Sequence, residues 1–282
     1  MNGTPFAGAD EASAGACVTE AQAAQFQEEG YCVLPAIVPE SLMELLGEEC
    51  EQAIGNVHSE MDTKGVDVLG GSRRGLQYTP GGCRNAQPRL REFLFSDLMQ
   101  VICGQLIGPE SYLVWDQFSV KMGTKSTHEG GARFENDGSP QSLGYFSWHQ
   151  DSGYVPMDHA PYLSCWVALD DVTAENGPLR VIPFSELGVR TRVTHTPDPV
   201  NGDLVGYFGS LPGVAIEVPR GSVICFSSTL FHSSSTNDTS CPRRAYLAQY
   251  SSTTSAASGN VLWRDAERVP SYPDAPAEEG SA

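Results

Sequence analysis

Ser147-Trp148-His149-Gln150-Asp151-Ser152-Gly153-Tyr154 is the stretch from which the rest of the chain is read. In an extended segment, side chains two residues apart share a face, so His149 and Asp151 can present an imidazole and a carboxylate on one side. Two ligands do not hold a catalytic metal. A third candidate arrives in Val223-Ile224-Cys225-Phe226-Ser227-Ser228-Thr229-Leu230-Phe231-His232, where an apolar run of strand character ends on His232. His149, Asp151 and His232 together form the two-imidazole, one-carboxylate set that occupies one face of a non-haem Fe(II) and leaves the other face open. Arg243, eleven positions beyond His232, adds a guanidinium fork, the natural partner of a carboxylate held at fixed orientation.

A His and an Asp two apart occur by chance in many chains, where they cap or pair more often than they bind metal. The ordered third histidine and the arginine beyond it give the pair its weight. Around these residues, strands are expected at 162–169, 179–182, 214–218, 222–226 and 244–250, separated by Gly, Pro and Asn turns. Short strands spaced in this way predict a mainly β domain, a sandwich or jelly roll. Upstream, Tyr112 to Lys121 also has strand character. A helix is expected to begin at Thr19, with Gln22 reaching back to form a capping box and Val18 packing as a staple, and to end at Gly30. A short strand follows at 31–35, then a second helix opened by Pro39 and a third over Arg89–Ile107. These helices would pack outside the β structure. The stretches 55–87 and 122–147 are Gly-rich and without clean period, which predicts functional rim or lid loops.

The composition narrows the choice of partner. Of 282 residues, 40% are apolar, enough for a core, and 17 Lys and Arg against 35 Asp and Glu give a formal charge of −18. Such a chain repels nucleic acid and acidic membranes overall, so neither is expected as a partner. The sequence around Met1 to Ala16 shows no basic region and no long apolar run, so the expectation is a cytoplasmic protein. The eight cysteines show no CxxC pair and suit reduced, packed thiols better than a zinc ribbon or a disulfide framework. Residues 1–17 and 265–282 are polar, small or Pro-rich and are expected to be disordered.

Several ordered motifs give the chain a wider resemblance. They are Gln25-Phe26 through Gly30-Tyr31-Cys32-Val33-Leu34, Trp148-His149-Gln150-Asp151, Leu163-Ser164-Cys165-Trp166-Val167-Ala168-Leu169-Asp170-Asp171, Glu175-Asn176-Gly177-Pro178-Leu179-Arg180-Val181-Ile182-Pro183, and His232-Ser233-Ser234 with Asn237 and Arg243. From roughly Val18 to Tyr250 the chain resembles the phytanoyl-CoA dioxygenase-like branch of the Fe(II)- and 2-oxoglutarate-dependent oxygenases. The resemblance implies a double-stranded β-helix, a jelly-roll barrel of the cupin kind with the metal inside one mouth, in a single domain over 18–264. It implies iron ligation by His149, Asp151 and His232, and pairing of Arg243 with the distal carboxylate of 2-oxoglutarate. Gln117, Trp166 and Ser234 match further co-substrate contacts. Arg244 is the rival for the clamp, but strand alternation should turn it to the other face. The implied cofactors are Fe(II), 2-oxoglutarate and O2. The implied reaction hydroxylates a small organic substrate, such as a secondary metabolite, an amino-acid derivative or an acyl thioester, and releases succinate and CO2.

One departure is local: the family usually continues the Ile182-Pro183 motif as Gly-Ser-His, where this chain has Phe184-Ser185-Glu186. Two alternatives stay open at the level of sequence. One is a barrel that binds a metal or small ligand without turnover. The other keeps the cofactors but ends in desaturation, cyclisation or peroxide formation. His58, His128, His159 and His195 fall in loop-like contexts and are read as solvated imidazoles.

Overall fold

The computed structural model describes residues 17–124, 144–155, 158–199, 202–254 and 266–270. The first helix, α1 (Glu20–Glu29), begins as its sequence dictates: Gln22 N–H donates to Thr19 Oγ1 and Thr19 N–H donates to Gln22 Oε1, with Val18 buried beside the cap. It is followed by β1 (Tyr31–Leu34), α2 (Glu40–Lys64), the short strands β2 (Val68–Leu69), β3 (Ser72–Arg73) and β4 (Gln77–Tyr78), and a 3-10 turn at Cys83–Asn85. Next come α3 (Leu90–Leu94), α4 (Asp97–Leu106), β5 (Ser111–Lys121), β6 (Phe146–His149), a 3-10 turn at Asp151–Tyr154, β7 (Leu163–Ala168), β8 (Leu179–Ile182) and α5 (Phe184–Leu187). The chain continues through β9 (Thr196–Pro197), β10 (Leu204–Val205), β11 (Val214–Ile216), β12 (Val223–Ser227), β13 (Phe231–Ser234), β14 (Arg243–Ser251) and β15 (Glu267–Val269).

Two antiparallel sheets face one another. The larger runs β1-β12-β7-β14-β5 and continues into β4-β3-β2, with β15 pairing the opposite end of β5; the smaller runs β11-β8-β13-β6. Strand alternation divides the larger sheet into two faces. Leu163, Cys165 and Val167 of β7, Val223 and Cys225 of β12, and Tyr246, Ala248 and Tyr250 of β14 pack under α1, α2, α3 and α4. Their neighbours Trp166, Ala168, Ile224, Phe226, Ala245 and Leu247 point between the sheets. This is the mainly β, helix-flanked jelly roll that the strand pattern predicts.

Three expectations need correction. The region 55–87 is not a loop throughout: α2 runs to Lys64, because Val57 and Met61 extend the buried stripe of Cys50 and Ala53 at helical spacing. Beyond it, β2, β3 and β4 form a small meander on the sheet edge, Gln77 and Tyr78 pairing Lys121 and Val120. The helix expected over 89–107 is two helices, since Ser96 turns extended and caps α4 through the Met99 N–H. Finally, 267–269 does not fray. Glu267 accepts from Arg91 and Arg84, and the segment adds β15 to β5. The expectations for 1–16 and 271–282, and for 125–143 of the second loop, lie outside the described residues. No helix among the described residues is long and apolar enough to cross a membrane.

Candidate metal centre

The register of the smaller sheet brings the two histidines together. His232 of β13 lies directly opposite His149 of β6, and the two rings are 4.2 Å apart between centroids. After His149 the chain leaves the ladder and coils into the turn at Asp151–Tyr154, which the loop between β12 and β13 ties down: Ser152 N–H donates to Ser228 O at 2.9 Å and Ser152 Oγ meets Ser228 Oγ at 2.8 Å. This turn carries the Asp151 carboxylate to the imidazoles, with Oδ1 lying 3.4 Å from His232 Nε2. One ligand atom from each of His149, Asp151 and His232 lies within 4.8 Å of the other two.

Each side chain is held so that one atom is left for a ligand. The His149 Nδ1–H donates to Ser147 O at 2.6 Å, and the His232 Nδ1–H to Leu230 O at 3.0 Å, which leaves both Nε2 lone pairs facing the centre. Asp151 Oδ2 accepts from Ser164 Oγ at 2.6 Å and from Gln249 Nε2 at 2.9 Å, which leaves Oδ1 to face the imidazoles. Burial, and after it the neighbouring His232, hold the His149 imidazole down at about 3, so its lone pair is available at neutral pH. Burial alone would raise the Asp151 carboxyl. The electrostatic influence of His232 at 3.4 Å, with smaller contributions from His149 and Ser164, outweighs it and keeps the carboxyl below its ordinary value.

The centre opens into a cavity between the sheets with about 510 Å³ of atom-free space, the open solvent at its mouth included. All seven residues singled out from the sequence line it: Gln117, His149, Asp151, Trp166, His232, Ser234 and Arg243. Arg243 is buried, with its guanidinium carbon 5.2 Å from the centre of the Trp166 ring. It donates through Nη1 to Ser119 O at 3.3 Å, while its buried Nε has no partner. Burial pulls this group down to about 10, so it is still a cation at neutral pH. An unsatisfied buried guanidinium at a cavity wall calls for an anion. Arg244 points the other way and is fully engaged, with both ends of its fork on Asp170 and a further bond to Glu51. Opposite Arg243 in register lies Lys121, whose buried ammonium donates to Gly144 O, Ser234 O and Ser235 O.

The chemistry of this donor set fits a ferrous ion, and the Arg243 end fits a carboxylate. Residues 26–245 match the model of the phytanoyl-CoA dioxygenase family. The chain belongs to this family. Phytanoyl-CoA dioxygenase-like proteins are Fe(II)- and 2-oxoglutarate-dependent oxygenases, and the His-Asp-His cluster is their metal site. Among curated relatives, the L-proline trans-4-hydroxylase of Streptomyces griseoviridis is 33% identical over 166 residues, 51% of this chain and 55% of that protein. The match therefore spans about half the length of that relative. The ectoine dioxygenase of Sphingopyxis alaskensis is 26% identical over 247 residues, 80% of this chain and 73% of that protein. Among solved structures, the non-heme alpha ketoglutarate dependent carbocyclase from nogalamycin biosynthesis shares the fold with a TM-score of 0.59 at 18% identity, covering 83% of each chain. EctD from S. alaskensis, with 2-oxoglutarate and 5-hydroxyectoine, gives 0.58 at 23% identity over 86% of this chain and 78% of that one.

Three residues of this phytanoyl-CoA dioxygenase-like centre escape sequence reasoning. Ser164 and Gln249 interrupt apolar strands as isolated polar residues, which is a legible sign of an inward face. His195, whose loop-like context predicts a solvated ring, instead sits behind the HxD turn and accepts the Gln150 N–H at 2.9 Å. Of the other histidines, His58 is bonded to Tyr78 and His159 to Ser152 Oγ, and His128 lies outside the described residues. Phe184, Ser185 and Glu186, where the family motif is broken, are not among the cavity's lining residues; Ser185 instead bonds Glu29 of α1.

Proposed function

We propose that this chain hydroxylates a small, amino-acid-like molecule, converting 2-oxoglutarate and O2 to succinate and CO2 in the same turnover. The observation that carries the reading is the convergence of His149, Asp151 and His232 in a cavity that is also lined by Arg243, whose buried Nε has no partner. In this reading the two Nε2 atoms and Asp151 Oδ1 hold the iron, and Arg243 takes the distal carboxylate of 2-oxoglutarate. Gln117, Trp166 and Ser234 complete the wall around the co-substrate. The bound iron and 2-oxoglutarate supply the oxidising power for C–H cleavage; the chain binds, orients and keeps water out. Trp166 and Phe226 line the cavity, and such apolar walls strengthen the polar contacts made within it. With iron bound, Asp151 would take the place that a halide would need, which favours oxygen transfer over halogenation.

The choice of substrate rests on two supports. The relatives named above act, by their names, on proline and on ectoine. The phosphates of a CoA thioester would need a local basic patch, for which the sequence offers the cluster Arg73, Arg74, Arg84, Arg89 and Arg91, and four of these five are paired with carboxylates: Arg74 with Asp62 and Asp67, Arg84 with Asp116, Arg89 with Glu48, and Arg91 with Glu267. The test is succinate formation from 2-oxoglutarate with Fe(II), ascorbate and O2 across free amino acids, cyclic amino-acid derivatives and acyl-CoA thioesters. Turnover with the amino-acid group and a product heavier by one oxygen atom supports the reading. Turnover with thioesters alone, or a product that has lost hydrogen without gaining oxygen, contradicts it.

A further inference from the structure

The residue between the two ligands of the HxD turn is itself held from outside. Where the chain leaves β6, the Gln150 amide no longer has a ladder partner, and a buried N–H left unpaired is costly. It donates instead to His195 Nε2 at 2.9 Å. An amide can only donate, so this Nε2 must be bare, and the ring carries its proton on Nδ1, which meets Val193 O at 2.9 Å. The Gln150 side chain reinforces the same attachment. Its Nε2 donates to Thr191 O at 3.0 Å and to Thr229 O at 2.6 Å, and its Oε1 accepts from Val193 N–H at 2.9 Å. The imidazole is also gripped on two sides: a Cβ placed on either Gly153 or Gly206 would come within 2.5 Å of His195 Nε2. Two glycines, one in the turn and one after β10, thus leave room for this ring.

We propose that His195 is a positioning residue of the metal centre, fixing the backbone between His149 and Asp151 through the Gln150 amide. It touches neither substrate nor iron. Its role is to keep the imidazole and the carboxylate on either side of that amide at one spacing, so that the ligand set is formed before the metal arrives. This rests on the metal site described above, and the experiment separates the two claims.

The experiment uses the full chain, stripped of metal by a chelator, with Mn(II) alone as the probe and its dissociation constant as the readout. His195→Leu removes the acceptor. His195→Asn can still reach Val193 O but is too short to meet the Gln150 amide, whereas the side-chain oxygen of His195→Gln extends to where Nε2 now lies. Loss of an outer partner of a metal site weakens metal binding by roughly 10- to 100-fold, and this is the loss expected for Leu and Asn, with Gln restored to within a few fold of wild type. His58→Leu, which breaks an imidazole bond of similar length to Tyr78 on another part of the fold, should leave Mn(II) affinity unchanged even where thermal stability falls. If the Leu and Asn variants bind Mn(II) as the wild type does, or if Gln is no better than Leu, His195 has no positioning role. If the wild type itself binds no Mn(II), or His149→Ala binds it equally well, the metal site is overturned as well.

Discussion

The two faces of β7, β12 and β14 are built from alternate residues of the same strands and do opposite work. The helix-covered face is closed and apolar: Cys165, Val167, Cys225, Tyr246 and Ala248 are fully buried. The face between the sheets is also buried, but it puts Trp166 and Arg243 on the cavity wall and Ser164 and Gln249 against Asp151. Arg243 and Arg244 condense the contrast into one step of the chain. Arg244 satisfies its charge on Asp170 and Glu51, and so strengthens the scaffold. Arg243 keeps an unpaired buried Nε, and so is ready for a ligand that the fold does not supply. Parity along a strand, rather than residue type, separates structural charge from functional charge here.

Substitutions on the two faces, and in the metal centre of the facing sheet, sharpen this contrast. The largest effect is expected from His149→Ala or His232→Ala, which should abolish stoichiometric metal binding and with it all 2-oxoglutarate consumption; equilibrium dialysis with Mn(II) reads the first directly. Next comes Arg243→Ala. Removing one partner of a buried charge pair costs about 2 kcal/mol or more, so the KM for 2-oxoglutarate should rise roughly 30-fold or more. A rise with Arg244→Ala and none with Arg243→Ala would reverse the assignment of the faces. Gln249→Ala removes one of the two hydrogen bonds on Asp151 Oδ2, that of Ser164 remaining, and should weaken Mn(II) binding by roughly 10-fold, with little change in melting temperature. Leu163→Ala, one residue from Ser164 but on the helix side, should do the converse. It should lower stability by about 2–5 kcal/mol in denaturant titration and leave the KM for 2-oxoglutarate alone. Arg244→Ala is expected to be smallest of all, about 1 kcal/mol of stability at most, because its pairs are partly exposed.

The sequence makes the centre legible because its signals are short-ranged. His149 and Asp151 share one segment, His232 ends an apolar strand, and Arg243 is preferred to Arg244 by its spacing from His232, which fits the family, with the period of a strand turning Arg244 to the other face. The remainder depends on contacts between distant parts of the chain. Nothing near His195 announces that its ring will meet the Gln150 amide, since that meeting is made by the path from β8 to β9. The extension of α2 beyond Gly55 was hidden by Gly55, Asn56 and His58, poor helix formers that Val57 and Met61 override by packing. Strands of two residues such as β2, β3 and β4 are too short to show any period. The break before α4 was in view, as Ser96 followed by Asp97, but a continuous apolar stripe on both sides masks such a cap.

Calorimetric titration of the metal-free protein under anaerobic conditions, first with Mn(II) and then with 2-oxoglutarate, tests the ligand site most directly. The expected result is a single Mn(II) site per chain, followed by 2-oxoglutarate binding that appears only when the metal is in place and weakens sharply in Arg243→Ala. Binding of 2-oxoglutarate that ignores both the metal and Arg243, or Mn(II) binding that survives loss of His149 and His232, would contradict it.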